Sequence, residues 1–325
     1  MNEILLKPVA SQQEWEAFWR AKDRCFLEDT VPQEDLGTPL TQEDRAYFLS
    51  EEYRGIIRGL CSREVDPALA VFFERNGERI GFCLLCTYHS EDQKCFILDF
   101  CVFSGLRGRG LGTKCFQALK TRQDALGAAF YELNTSCRRS MRFWEKQGFR
   151  YNGYDESGSL LMLLPPENTQ AVCQELARED FWQVLRLENG CKGEAGAPFL
   201  SQEQKDALEE AVLSGDIRFF VVKRSVRVIG MCSVSRIFST LSCQKIGILG
   251  DFFMEPAFRK QGHAKALAQY VQKRCALEGL ASLWALSPEG NLGMYEPLGF
   301  SAPPGHWVAW NAPGEDGGAQ VPGHP

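Results

Sequence analysis

Short apolar runs and amphipathic stretches follow one another along this chain in an order that occurs twice. Residues 3–10 read as a short strand. From Gln12 to Leu27, the residues Trp15, Phe18, Trp19, Cys25 and Phe26 fall near helical spacing and predict an amphipathic helix. A loop with Pro32, Gly37 and Pro39 follows. Thr41-x-x-Asp44 then has the form of a helix start, and Tyr47, Phe48, Ile56, Ile57 and Leu60 carry the period onward. Two apolar runs, Ala70 to Arg75 and Arg79 to Tyr88, flank Asn76-Gly77 and predict a hairpin. A strand is expected at Phe96 to Phe103, a helix from about Gly112 to Leu126, a strand at Phe130 to Asn134, a short helix at Met141 to Gln147 and a hairpin from Arg150 to Leu164.

Pro165-Pro166-Glu167-Asn168 ends that run and marks a domain boundary, because two prolines close a strand and open a polar stretch. The order then repeats. Val172 to Leu176 reads as strand and Asp180 to Leu187 as helix. Ser201-x-x-Gln204 is a capping-box start for a helix to about Leu213. Arg218 to Lys223 and Arg227 to Ser235 form a hairpin, and Ile246 to Met254 a strand. A helix from about Ala264 to Leu277, a strand at Ser282 to Leu286, a short helix at Asn291 to Glu296 and a last strand ending at Trp307 to Trp310 complete the set. One offset, 152, takes Asp99 to Asp251, Phe100 to Phe252, Arg107 to Arg259 and Gly110 to Gly262, while Gly148-Phe149 matches Gly299-Phe300 at 151. The expected architecture is α/β: two tandem domains, residues 1–165 and 170–310, each a mixed, mostly antiparallel sheet flanked by helices. The Gly- and Pro-rich residues 311–325 are expected to be a disordered tail.

Composition narrows the function classes. The 325 residues are 44% hydrophobic and 24% charged, the values of a soluble globular protein. The net charge of -6 argues against a general nucleic-acid binder. No basic segment followed by a long apolar stretch opens the chain, and no window has the roughly 18 apolar residues of a membrane span, so a cytoplasmic location is expected. The 13 cysteines are scattered, several within apolar runs, and read as small buried hydrophobes. Cys83-x-x-Cys86 lies mid-strand with no second pair at ligand spacing, and His89, His263, His306 and His324 form no cluster, so no metal site is expected.

The candidate chemistry sits at two turns, Arg107-Gly108-Arg109-Gly110-Leu111-Gly112 and Arg259-Lys260-Gln261-Gly262-His263-Ala264. Each follows an apolar run and opens a helix. Glycine at such a turn lets backbone N–H groups approach an anion, and the helix adds its dipole and unpaired donors. Arg107 and Arg259 either support a phosphate by charge or pin the loop. The lone alternative for each turn is a tight strand-to-helix connection without a ligand.

These turns, with the order of elements around them, resemble the GNAT family of N-acetyltransferases, whose acetyl-CoA loop reads Gln/Arg-x-x-Gly-x-Gly/Ala. The resemblance covers nearly the whole chain as two successive domains. The family's Val-x-Pro approach is matched nearly by Met254-Glu255-Pro256 and lacks its proline in Val102-Phe103-Ser104. The resemblance implies that backbone groups near Val102 and Met254 hold the pantetheine arm, and that the loop amides of Arg107 to Gly112 and Arg259 to Ala264 bind the pyrophosphate. It further implies that a tyrosine in a late Asn-x-x-x-Tyr helix protonates the departing thiolate.

The second half carries that helix as Asn291 and Tyr295, with Gly299-Phe300 after it; the first half has Ser140 and Trp144 in those places. Indole is a donor that does not ionise as a useful acid. The C-terminal domain is therefore the expected catalyst, and the N-terminal domain an acyl-CoA-binding module or scaffold. Asp251 and Asp99 lie on the strands before the loops and act as base or cap a backbone N–H; the family's more usual base position holds Gly250 and Leu98, and Glu255 is a weaker candidate. His263 either touches a phosphate or faces solvent. Trp15, Phe18 and Trp19 form core or line an acceptor cleft. The implied reaction is direct transfer of acetyl from acetyl-CoA to a primary amine of a small molecule or peptide, without metal. The rivals are a non-catalytic acyl-CoA-binding regulator and an interaction scaffold with empty clefts.

Overall fold

Alternation along the central strands decides how the first unit is layered. In this computed structural model, described over residues 3–31, 35–36, 39–155, 157–166, 169–240, 242–285 and 292–301, Ala70 and Phe72 of β2 (Ala68–Arg75) face one way and Val71 and Phe73 the other. Pro32, Gly37, residues 167–168, Asn291, the strand expected at Trp307–Trp310 and the tail 311–325 lie outside the described residues. β3 (Glu78–Tyr88) divides in the same way, with Phe82 and Leu84 on the first face and Cys83 and Leu85 on the second. Phe18 and Trp19 of α1 (Gln12–Cys25) and Ile57 of α3 (Glu51–Cys61) cover the first face. Leu111, Cys115, Phe116 and Leu119 of α4 (Leu111–Ala125) and Trp144 of α5 (Arg138–Lys146) cover the second. Phe18 and Trp19 are core, while Trp15 packs at its margin.

The remaining strands are β1 (Leu5–Pro8), β4 (Lys94–Val102), β5 (Phe130–Thr135), β6 (Arg150–Tyr154) and β7 (Leu160–Leu164), in the spatial order β1-β2-β3-β4-β5-β7-β6. Only the β4–β5 pairing among these is parallel; the others run antiparallel. The helix expected over residues 41–60 is two: α2 (Gln42–Phe48), boxed by Thr41 and Asp44, and α3. The break lies at Ser50, whose hydroxyl accepts from the Tyr53 N–H and so starts a new helix.

The second unit has the order β12-β11-β10-β9-β8, from β8 (Ala171–Glu175), β9 (Ile217–Arg224), β10 (Arg227–Ser239), β11 (Gln244–Met254) and β12 (Ser282–Ala285). β10 and β11 are antiparallel and β11 and β12 parallel. Val184 and Leu187 of α6 (Phe181–Glu194) pack with Phe219, Val221, Val228, Met231 and Phe253; Leu267, Ala268 and Val271 of α8 (His263–Leu277) are also buried. α7 (Gln202–Ser214) begins at the Ser201–Gln204 box, and α9 (Leu292–Tyr295) is a single turn. α6 runs past its expected end at Leu187 because Gly190 does not break it. That glycine lets the helix approach β11: a Cβ there would stand 3.3 Å from the Phe253 ring. Two short segments of the second half, 224–227 and 255–257, cluster with the first unit. There Glu255 is 3% exposed, accepts from Arg227 at 3.0 and 2.6 Å and from Asn152 at 3.2 Å, and is spent on a buried ion pair instead of serving as a base.

Candidate active site

Several helices here start under a side-chain cap: Ser11, Thr41, Ser50 and Ser201 each accept from a first-turn N–H. Like α6, the helices α4 and α8 do not. They start at Gly110 (φ +72°) and Gly262 (φ +85°), both left-handed and without a side-chain cap. A left-handed entry suits glycine, which has no side chain to cap the first turn. Nothing lies within 4 Å of where a Cβ on either glycine would be. Two residues earlier the backbone is left-handed again, at Gly108 (φ +76°) and at Lys260 (φ +60°). Alternating hands of this kind turn successive N–H groups toward one concavity and make an anion nest. Arg109 and Gln261 are exposed on the loops, Gly112 and Ala264 lie in the first turns, and His263 is half-buried as the first residue of α8.

The arginines that lead the two loops pin them. Arg107 Nε donates to the Val102 carbonyl at 2.7 Å, and its two terminal nitrogens donate to Asp29 at 2.6 Å each. Arg259 repeats this, with Nε to the Met254 carbonyl at 2.8 Å and a terminal nitrogen to Glu194 at 2.8 Å. The hydrogen bonds from Arg107 hold the Asp29 carboxyl below its usual range. Of the two roles expected for these arginines, the structure shows loop anchoring.

Beside each loop the parallel strands part. β4 pairs with β5 only from Lys94–Phe130 to Ile97–Leu133, and β11 pairs with β12 only from Ile246–Ser282 to Leu249–Ala285. The stretches Leu98–Val102 and Gly250–Met254 continue as strand with no strand partner on that edge among the described residues. Val102 and Met254 end these stretches, and their carbonyls accept from Arg107 and Arg259. A pantetheine-like arm with amide groups fits such an edge as an added strand would.

The Acetyltransferase (GNAT) family model matches residues 16–149 and again residues 181–300. The chain belongs to this family. A Trypanosoma brucei acetyltransferase structure is similar at 22% identity over 44% of this chain and 100% of its own, with a TM-score of 0.37. The glucosamine-6-phosphate N-acetyltransferase of Arabidopsis thaliana is similar at 18% over 43% of this chain and 98% of its own, TM-score 0.36. A predicted acetyltransferase from Clostridium acetobutylicum, solved with acetyl-CoA, is similar at 12% over 44% and 96%, TM-score 0.39. No protein of curated function matches the chain.

The two GNAT units differ where family members carry chemistry. In the first, Trp144 is 4% exposed and sits among the rings of Phe100, Phe116, Phe143 and Phe149 at 4.9–5.4 Å, so it is core. In the second, Tyr295 is half-buried, and burial followed by the nearby Asp251 charge raises its pKa, which keeps the phenol protonated. Asp251 lies on a β11 bulge with φ +43°, where one extra residue opposes β10 between Met231 and Ser233. Bulges re-aim side chains, and here the Ser233 hydroxyl holds the Asp251 carboxylate at 3.1 Å. The same hydroxyl would lie 2.8 Å from a Cβ on Gly250, so no side chain fits the family's more usual base position.

Two facing residues escaped the sequence reading. Lys22 of α1 is 5% exposed and pairs with Asp99 at 3.5 Å. Burial disfavours its ammonium, but the Asp99 charge, with Tyr53 and Asp23, outweighs that and raises its pKa. Glu188 of α6 stands in the matching place opposite Asp251 and is 9% exposed. Cys25 and Cys191 follow each by three residues, which fixes the correspondence. The offset there is 166 instead of 152, so a change in loop length hid the match.

The first unit also has a basic cleft of about 470 Å³ lined by Asp35, Arg138, Arg139, Arg142, Phe143 and Lys146. It adjoins the nest, since the Phe143 ring lies 3.0 Å from where a Cβ on Gly112 would be. Cys25, Cys101 and Asp29 have their ligand atoms within 4.8 Å of one another, a soft-metal composition, but Arg107 already takes both Asp29 oxygens and supplies the positive charge. Among the described residues, no helix is long and apolar enough to cross a membrane.

Proposed function

We propose that the second unit transfers an acetyl group from acetyl-CoA to a primary amine, and that the first unit binds acyl-CoA without efficient turnover or serves as scaffold. The domain limits in this reading are 1–165 and 170–310, with a tail at 311–325, in a cytoplasmic protein acting on a small-molecule or peptide amine and on neither nucleic acid nor membrane. One observation carries it. Tyr295 is half-buried within reach of the Asp251 charge, whereas the corresponding Trp144 is sealed among rings.

Acetyl-CoA would supply an activated acyl group. The residues fit it: backbone amides at the left-handed Gly262 helix entry for the diphosphate, and the Gly250–Met254 stretch that runs beyond the β12 pairing for the amide-bearing arm. Arg259 keeps the loop in that shape. The Tyr295 hydroxyl, kept protonated, donates to the leaving sulfur. Asn291 belongs to this site by the family pattern. In the first unit the same nest and the basic cleft suit an anion, which favours binding without transfer there.

Thiol release from acetyl-CoA with a panel of amines tests this. Tyr295→Phe should lower kcat by about 100-fold and leave coenzyme affinity unchanged by calorimetry. Unchanged release would remove Tyr295 as the acid, and a full-length protein that binds no coenzyme would favour the scaffold reading.

A further inference from the structure

Glu188 is the buried polar group the fold leaves unexplained. Its Oε1 is shielded from solvent and has no hydrogen-bond partner, in a residue that is 9% exposed. Burying an ionised oxygen without a partner is costly. Its helix is pressed onto β11 through Gly190, and its neighbours are those of the reaction centre. The Asp251 carboxylate of β11, which accepts from the Ser233 hydroxyl of β10 at 3.1 Å, is near enough for its charge to act on both Glu188 and Tyr295 of α9. Lys192 and Cys191 lie on its own helix, with Arg259 acting on Cys191. No side chain can reach this space from Gly250, because Ser233 fills it.

We propose that Glu188 is a catalytic residue of the second unit: with Asp251 it receives the ammonium group of a cationic primary amine and removes its proton. The proposal rests on the acetyl-transfer reading above. An ammonium brings three donors, one of them for the unpartnered Glu188 Oε1, and a positive charge between two carboxyls. Glu188 takes one proton, leaving a neutral amine whose lone pair attacks the thioester carbonyl carbon. The carbon–sulfur bond breaks with its electron pair on sulfur, which takes the Tyr295 proton. The nitrogen gives up its second proton to restore Tyr295, and Glu188 releases the first to solvent. Burial, with the Asp251 charge adding to it and Lys192 opposing, raises Glu188 from 4.5 to about 8. A base is most effective when its pKa lies near the working pH.

The full-length protein is assayed with acetyl-CoA and 1,4-diaminobutane, a basic aminoglycoside, a peptide with a free N-terminus, and 4-methylaniline, which is uncharged at neutral pH. Wild type should acetylate at least one cationic amine with a rate that rises through a limb near pH 8. Glu188→Gln should lower kcat/KM for that amine by about 100-fold, remove the limb, largely spare 4-methylaniline and leave coenzyme binding intact. Asp251→Asn should move the limb to lower pH. Carboxyl NMR of the unliganded protein gives an independent reading: Glu188 should titrate several units above its ordinary value. Retained rate and limb in Glu188→Gln, or an ordinary titration, would overturn the proposal while acetyl transfer stands. A wild type that binds the coenzyme but acetylates no amine would overturn both.

Discussion

Asp99 and Asp251 occupy matching places on β4 and β11, yet they meet opposite charges. In the first unit Lys22 closes an ion pair on Asp99, Tyr53 covers the ammonium at 4.9 Å, and Trp144 fills the space an acid would need. In the second unit Glu188 sets a carboxyl against Asp251, and Tyr295 stays half-exposed beside them. The coenzyme-facing features, the left-handed glycine and the pinned arginine, are nearly the same in both. One scaffold thus holds a neutralised, packed centre and an unneutralised, accessible one. On the proposed function, binding geometry and catalytic chemistry are separable in this fold, because the first would be made by backbone and the second by a few side chains.

The largest expected effect lies in that charge contrast. Glu188 loses its proton near pH 8 in the folded chain and near its ordinary 4.5 when unfolded. Between those values the folded state holds the extra proton, so the second unit loses stability as pH rises from 4.5 to 8. The loss is on the order of 3–4 kcal/mol. Urea unfolding at pH 5 and pH 8, below the range where cysteines of the unfolded chain ionise, should show most of this loss in wild type and a much smaller one in Glu188→Gln; equal losses would break the contrast. In the first unit, Lys22→Met strands Asp99, whose side chain keeps 29% exposure. This should destabilise by about 2 kcal/mol, below the cost for a fully buried pair, with acetyl transfer unchanged. A loss of transfer would mean the first unit is not the silent one.

Much of the binding frame was legible in the sequence because backbone geometry restricts residue type. Gly110 and Gly262 stand where a left-handed helix entry favours glycine, and period-two alternation in β2 and β3 gave both faces of a sheet. The exchange of Tyr295 for Trp144 was also readable, from its fixed spacing before Gly-Phe. The partners of the arginines were not. Asp29 lies 78 residues from Arg107, and Glu194 lies 65 from Arg259, so no local pattern joins them. Lys22 and Glu188 were missed for a different reason: a charged residue in an amphipathic helix reads as solvent-facing, and here both are buried. Lys260 was expected among the loop residues that bind the coenzyme, and its backbone conformation was not legible: it holds φ +60° where the first loop has Gly108. Replacing it with glycine should relieve that strain and raise stability by about 0.5–1 kcal/mol, a small rise in the melting temperature of the second unit.

On the proposed function, turnover runs through the Gly262 nest and not through the Gly110 nest. Gly262→Val and Gly110→Val, each in the full-length chain, put a branched side chain at equivalent left-handed helix entries, and thiol release from acetyl-CoA with a responsive amine compares them directly. Gly262→Val should lose at least about 100-fold in kcat/KM while Gly110→Val keeps the wild-type rate. Full activity in Gly262→Val, or its loss in Gly110→Val alone, would contradict it.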